Sequence, residues 1–119
     1  MTLDDLTVAP WHRSDWGGEL RSIDGTSAAD FTREDVAELV AYTNASAEFW
    51  GAAGTGIARL RDGRFISWEI ADGQTGHGFA GDAYGGPCHT DIMFAASAKI
   101  AARGISEQGR DSLVWLVMP

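Results

Sequence analysis

The stretch from 56 to 71 constrains the fold more than any other part of the sequence. It reads GIARL, then an Asp62-Gly63 pair, then RFISWEI. Asp-Gly is typical of the two-residue type I′ turn, which needs residues with positive φ, so the stretch predicts a β-hairpin. Side chains alternate between the two faces of a strand. The core-facing set is therefore Ile66, Trp68 and Ile70, and the opposite set is Phe65, Ser67 and Glu69.

Residues 32–43 show the spacing of an amphipathic helix. Thr32 suits the N-cap position, and the acids after it suit the positive end of a helix dipole. Apolar residues and a threonine recur at i, i+3, i+4 and i+7, which predicts a helix of about three turns. This stripe is Val36, Leu39, Val40 and Thr43. The polar side of the helix would carry an acidic row formed by Asp30, Glu34, Asp35 and Glu38.

The rest of the chain predicts shorter elements. We expect a strand around Thr90 to Phe94, a helix over AASAKIAAR that ends at Gly104, and a helical turn or two opened by Ser106. The final LVWLVM predicts a buried helix or strand. The fold class predicted is α+β, a small antiparallel sheet of three or more strands around the 56–71 hairpin, packed by two or three helices.

The chain length fits one domain, 1–119. Trp11 and Trp16 are too apolar to leave in water by default, so we expect the arm 1–30 to lie against the body, with a loosely packed tail as the alternative. A single cysteine, Cys88, excludes an intramolecular disulfide and suits a reducing compartment. MTLDDL lacks the basic residues of a secretory signal. We therefore expect a cytoplasmic protein that does not associate with a membrane.

The net charge of −8 is concentrated in the first part of the chain. Residues 1–48 hold ten acids and three arginines. Such an acidic surface repels nucleic acid and anionic lipid and favours a partner with a basic surface. Solubility alone is the other interpretation of the charge.

The glycine-rich segment 73–86 contains GHGFAG, which matches the dinucleotide-binding pattern G-x-G-x-x-G. That fingerprint needs a helix that begins inside it. Here Asp82 is followed by Ala-Tyr-Gly-Gly-Pro, which cannot continue a helix, so we do not expect nucleotide binding. A loop of this length is either a connection between strands or a binding loop. In the second case its contact residues are His77, Phe79, Asp82 and Tyr84.

A further cluster of possible ligands lies near this segment. His77, Cys88, His89 and Asp91 are residue types that bind zinc, and Cys88 with a histidine is a possible thiolate–imidazole pair. Structural zinc sites usually show paired spacing, which is absent here. We expect no cofactor and no catalytic residue, and we keep a small metal-binding or thiol-dependent enzyme as an alternative.

The stretch from Gly56 to Leu113 resembles small uncharacterised proteins of actinobacteria and their phages. The similar features are the GIARLRDGRFISWEI hairpin, Thr75-Gly76-x-Gly78 and ARGISEQGRDSL. This resemblance covers roughly half the chain and implies an α+β fold without an activity. The leading hypothesis is a non-enzymatic, phage-encoded interaction protein that binds and modulates a host protein. The acidic row would imitate the spaced phosphates of a nucleic acid, and the glycine-rich segment would be a second contact. A homo-oligomeric assembly protein is the third hypothesis.

Overall fold

The computed structural model describes residues 3, 10–11, 19–43, 54–70 and 92–117. They form a six-stranded mixed sheet with few helices, so the described part of the chain is mostly sheet. The strands are β1 (Leu20–Ser22), β2 (Val36–Thr43), β3 (Gly54–Leu60), β4 (Phe65–Ile70), β5 (Ile92–Ala95) and β6 (Val114–Trp115). The helices are α1 (Ala98–Ala101), which continues into a 3₁₀ turn at Ala102–Gly104, and α2 (Glu107–Asp111).

The strand order across the sheet is β1-β5-β4-β3-β2-β6. All neighbouring pairs are antiparallel except β1 and β5, which are parallel. The predicted sheet was wholly antiparallel, and the parallel pair at the β1 edge corrects it. Among the described residues, no helix has the length and apolarity that crossing a membrane requires.

The predicted hairpin is confirmed, with a different turn. β3 and β4 pair in antiparallel register, and the Leu60 amide donates to the Arg64 carbonyl over 2.8 Å. The Gly63 amide donates back to the Leu60 carbonyl over 3.0 Å, and Gly63 has a φ of 96°. The loop therefore has three residues and ends in a left-handed glycine. The type I′ prediction is wrong because the strands pair one residue short of the Asp-Gly dipeptide.

The predicted helix at 32–43 is wrong, because Val36–Thr43 is a strand. Only its first turn survives, as a 3₁₀ turn at Arg33–Asp35 with Thr32 as N-cap. β2 pairs with β3 with two irregularities, between Val36 and Glu38 and between Leu39 and Ala41. At each of them two residues of β2 oppose one residue of β3, which is the geometry of a β-bulge.

The two bulges explain why this strand has a helix-like pattern. A bulge adds one residue before the chain returns to the same face, so face-sharing positions lie three apart instead of two. Val36 and Leu39 belong to one core cluster, whereas Val40 and Ala41 both belong to the other. A strand buried on both faces has thereby acquired the i, i+3, i+4 spacing that usually indicates a helix.

The sheet is covered on both faces, which separates two hydrophobic clusters. The N-terminal face is covered by Leu3, Trp11, Ala28 and Phe31, all from the chain before β2. The helical face is covered by α1 and the residues after it, up to Ile105. Strand residues of the N-terminal face are Val36, Leu39, Ala58, Leu60, Ile66, Trp68, Ile92 and Phe94. Those of the helical face are Val40, Ala41, Ile57 and Ala95.

Trp11 shows how the arm contacts the body. Its ring lies edge-on to the ring of Trp68, with centroids 6.1 Å apart, and the Arg33 guanidinium stacks 5.7 Å from the Trp11 centroid. Trp68 crosses Gly56 on the neighbouring strand, where a Cβ would collide with its indole ring. At Trp11, therefore, the arm lies against the body as expected, whereas Trp16 lies outside the described residues.

The helix α2 begins after Ser106 as predicted, whereas α1 begins at Ala98, three residues after the predicted start at Ala95. The Ser97 hydroxyl accepts the Ile100 amide at the start of α1, and the Ser106 hydroxyl accepts the Gly109 amide at the start of α2. Both helices are short, and α1 with its 3₁₀ extension ends at Gly104 as predicted. The prediction of a buried C-terminal segment is wrong: β6 lies at an edge of the sheet, and Val114 is half exposed.

Candidate interaction surface

The four acids predicted to form one row lie in three different local structures. Asp30 is exposed just before Phe31, and Glu34 is exposed in the 3₁₀ turn. The Asp35 carboxylate accepts the Thr32 amide over 2.8 Å and so completes a capping box. Glu38 lies within β2. Without the helix there is no row of carboxylates at i,i+4 spacing, which removes the geometric basis for imitating spaced phosphates.

Arginines of the hairpin lie beside this acidic segment. Arg59 Nε is 2.9 Å from Glu38 Oε1, across the β2–β3 pair. Arg61 donates from Nε to the Glu34 carbonyl over 2.7 Å, and its amide donates to the Asp35 carbonyl. Tertiary pairing therefore places these arginines next to acids that are far from them in the sequence.

The described residues carry only a small part of the net negative charge of the chain. They carry ten acids and eight basic residues, a balance of −2 out of the −8 of the whole chain. The remaining excess, seven acids against Arg13, belongs to residues outside the described ranges. The acidity is thus a property of the whole chain rather than of the segment 30–38.

The glycine-rich segment and the possible metal ligands lie outside the described residues. This applies to His77, Phe79, Asp82 and Tyr84, and to Cys88, His89 and Asp91. Within the described ranges, no group of three or more His, Cys, Asp or Glu side chains is placed to hold a metal ion. Both proposals for this segment therefore remain sequence-based predictions.

The exposed apolar residues of the described chain converge on one place. The large hydrophobic side chains most open to solvent are Val114, Leu116 and Val117, with exposed fractions of 50%, 45% and 40%. They surround Trp115, which is half-buried and packs against the cluster of the helical face. A contiguous apolar segment at a sheet edge is a common feature of protein-binding surfaces.

The pairing of β6 leaves one set of backbone groups without a neighbouring strand among the described residues. Ala41 lies opposite Trp115, and the Leu116 amide donates to the Val40 carbonyl over 2.8 Å. In an antiparallel pair, the backbone N–H and C=O of one residue bond to the partner strand, and those of the next residue point away from it. Because Leu116 bonds to β2, the N–H and C=O of Trp115 point away from β2. We call this set of groups, the Trp115 backbone with the side chains of Val114, Leu116 and Val117, the β6 edge.

A group of polar side chains that the sequence did not predict, Ser67, Glu69 and Ser106, lies under the C-terminal helices. The Glu69 carboxylate accepts the Ser106 amide over 3.0 Å and the Ser106 hydroxyl over 2.6 Å, so it fixes the start of α2. Ser67, two residues earlier on the same face, is fully buried, and its hydroxyl has no hydrogen-bond partner among the residues that the structure describes. A serine nucleophile needs a base within hydrogen-bonding reach. Within the described part of the chain no base bonds to the Ser67 hydroxyl.

Two aspartates hold turns at the hairpin end of the sheet. The Thr26 hydroxyl, followed by the Ala96 amide, holds the pKa of the Asp24 carboxyl below its usual range. The pKa of Asp62 is lowered chiefly by the Arg64 amide and also by the Arg64 guanidinium. Both carboxylates stay ionised at neutral pH as anchors of these turns, and neither is poised for proton transfer.

No family model, no curated protein and no solved structure matched this chain in the comparisons. A functional conclusion therefore depends on the geometry of the described surface.

Proposed function

We propose that this chain is a non-enzymatic interaction protein that binds a protein partner through the β6 edge. The observation that carries the proposal is the exposure of three large apolar side chains next to one another at the end of a sheet. Covering half-exposed valine and leucine side chains favours binding by about 25 cal/mol per Å² of apolar surface removed from water.

The net charge narrows the chemistry of the partner. A chain of −8 attracts a basic protein surface over distances longer than a contact, and mobile salt ions weaken that attraction. The charge supports faster association with a basic partner, and the apolar edge supplies the contact. In the phage setting that the sequence resemblance implies, such a partner is a host protein.

Affinity capture from an actinobacterial lysate tests this function. The wild-type chain is compared with a double variant, Val114→Ser with Leu116→Ser, whose sites are exposed enough that stability should change by less than about 0.5 kcal/mol. A matched control, Lys99→Ser with Arg103→Ser, changes two exposed residues of the helical layer. We expect a specific partner to be captured by the wild type and the control and lost from the edge variant.

Two results would contradict the proposal. One is a wild-type chain that captures nothing above a bait-free column. The other is a partner captured equally well by all three proteins, which would place the contact elsewhere on the chain. The alternative metal-dependent enzyme is tested separately by metal analysis of purified protein, where stoichiometric zinc would favour His77, Cys88, His89 and Asp91 as ligands.

A further inference from the structure

We infer that the partner binds as an extended segment that adds a seventh strand outside β6, with apolar residues at alternate positions and basic residues between them. This inference rests on the proposed function and specifies how the β6 edge is occupied. It follows from the backbone register of β6, its side-chain exposure and the charge of the chain.

The backbone supplies the first requirement of strand addition. The outer side of β6 has no neighbouring strand among the described residues, and the Trp115 N–H and C=O point towards it. A residue of an incoming strand that lies opposite Trp115 would exchange two hydrogen bonds with it. Such main-chain bonds provide affinity in strand addition, and side chains at alternate positions provide specificity.

The side chains define the sequence of the incoming strand. Val114 lies on the face of β6 opposite to that of Trp115, and Leu116, in the bend that follows the strand, continues the pairing with Val40. Incoming residues on either side of the one that pairs with Trp115 would lie on the face of Val114. Apolar side chains at those two positions would cover Val114 and Leu116, which gives the alternate apolar pattern.

Charge decides between a basic partner segment and a second copy of this chain. Two copies bring together two charges of −8, which opposes self-association. Three half-exposed side chains are also too little surface for a stable dimer, which buries about 800 Å² on each partner. Basic side chains between the apolar ones complement the net charge of the chain.

The test uses a synthetic probe, an acetylated and amidated nonapeptide of alternating arginine and valine. Amide hydrogen exchange of the full chain is followed by NMR with and without the peptide. At a peptide concentration about ten times its Kd, we expect exchange at the Trp115 amide to slow about tenfold. Exchange at the Leu116 amide should stay unchanged, because this N–H already bonds to Val40. A peptide with two central prolines, which cannot form the strand, is the negative control.

Matched variants separate the edge from the added charge. Val114→Lys with Leu116→Lys places two lysines on the edge, a device that blocks strand pairing. Ala29→Lys with Ala96→Lys adds the same charge at other exposed sites. We expect the edge variant to bind the alternating peptide at least about tenfold more weakly than this control, a difference of about 1.4 kcal/mol.

Three results would overturn the inference. The first is that the alternating peptide leaves exchange at Trp115 unchanged, and the second is that the proline peptide protects Trp115 equally well. The third is that the Trp115 amide is already protected without peptide and that the chain sediments as a dimer. The last result would assign the edge to a second copy. If the lysate partner depends on Val114 and Leu116 but Trp115 is not protected, strand addition is wrong and the proposed function stands. If the partner does not depend on them, the proposed function itself is wrong.

Discussion

At the scale of single residues, Ser67 in β4 and Ser106 at the start of α2 have opposite environments. The Ser106 hydroxyl donates to Glu69 and accepts the Gly109 amide, whereas the buried Ser67 hydroxyl has no partner in the described ranges. Ser67 also lies where a Cβ on Gly104 would approach its oxygen to 2.9 Å, so the 3₁₀ turn passes close over the strand. The same side chain thus stabilises the fold at one position and does not at the other.

We predict that Ser67→Ala leaves the free energy of unfolding unchanged or raises it by up to about 1 kcal/mol, because a buried hydroxyl without a partner is removed. Ser106→Ala should lower it by about 1 kcal/mol, since it removes a helix cap and the partner of Glu69. Urea denaturation followed by circular dichroism measures both. Equal destabilisation by the two variants would show that the Ser67 hydroxyl does have a partner in solution.

At the scale of elements, one arginine joins three parts of the N-terminal face. Arg64 Nη1 donates to the Ser27 carbonyl over 2.9 Å and to the Ala29 carbonyl over 2.8 Å. Its Nε donates to Asp62 over 2.8 Å, and its guanidinium lies 5.0 Å from the centre of the Phe94 ring. The irregular segment before Phe31 is therefore held on the sheet by a side chain of the hairpin.

We predict that Arg64→Lys lowers the free energy of unfolding by about 1–3 kcal/mol, although the charge is kept. A lysine cannot make these planar, divergent hydrogen bonds together. The amide of Ala29 should also exchange faster, because the segment is released locally. Arg103→Lys, at an exposed site, is the matched control and should change neither quantity. A variant at 64 that behaves like this control would mean that the segment is held by other contacts.

At the scale of the whole molecule, the N-terminal chain is part of the core. The N-terminal face of the sheet is covered by residues that precede β2 and include Leu3 and Trp11, and Trp68 beneath them is only 1% exposed. The helical face is covered by a separate layer from the other end of the chain. The sheet therefore depends on both ends of the sequence for its burial.

We predict that Trp11→Ala lowers the free energy of unfolding by about 2 kcal/mol. It removes the edge-to-face contact with Trp68 and the stacking of Arg33. Chemical denaturation monitored by circular dichroism gives the value, and Val114→Ala, at an exposed site, should change it by less than about 0.5 kcal/mol. Equal stability of the two variants would mean that the arm does not contribute to the core.

Part of the fold and little of the candidate site follow from the sequence alone. The hairpin and the Ser106 cap depend on residues within four positions of one another, so local rules identify them. The residues of the β6 edge lie in a segment whose apolar run predicts burial. Its exposure depends on how many strands lie beyond it, and no local pattern contains that number.

What the sequence by itself determined about this protein is therefore its local structure: a hairpin at Asp62-Gly63, a helix that ends at Gly104, a helix start at Ser106, and a chain of net charge −8. Only the tertiary structure decided that Val36–Thr43 is a strand, because two bulges opposite β3 reproduce the spacing of a helix. It also decided that Arg59 and Arg61 lie beside the acids, and that β6 lies at an edge. Each of these depends on contacts between residues far apart in the chain, which periodicity and composition do not encode.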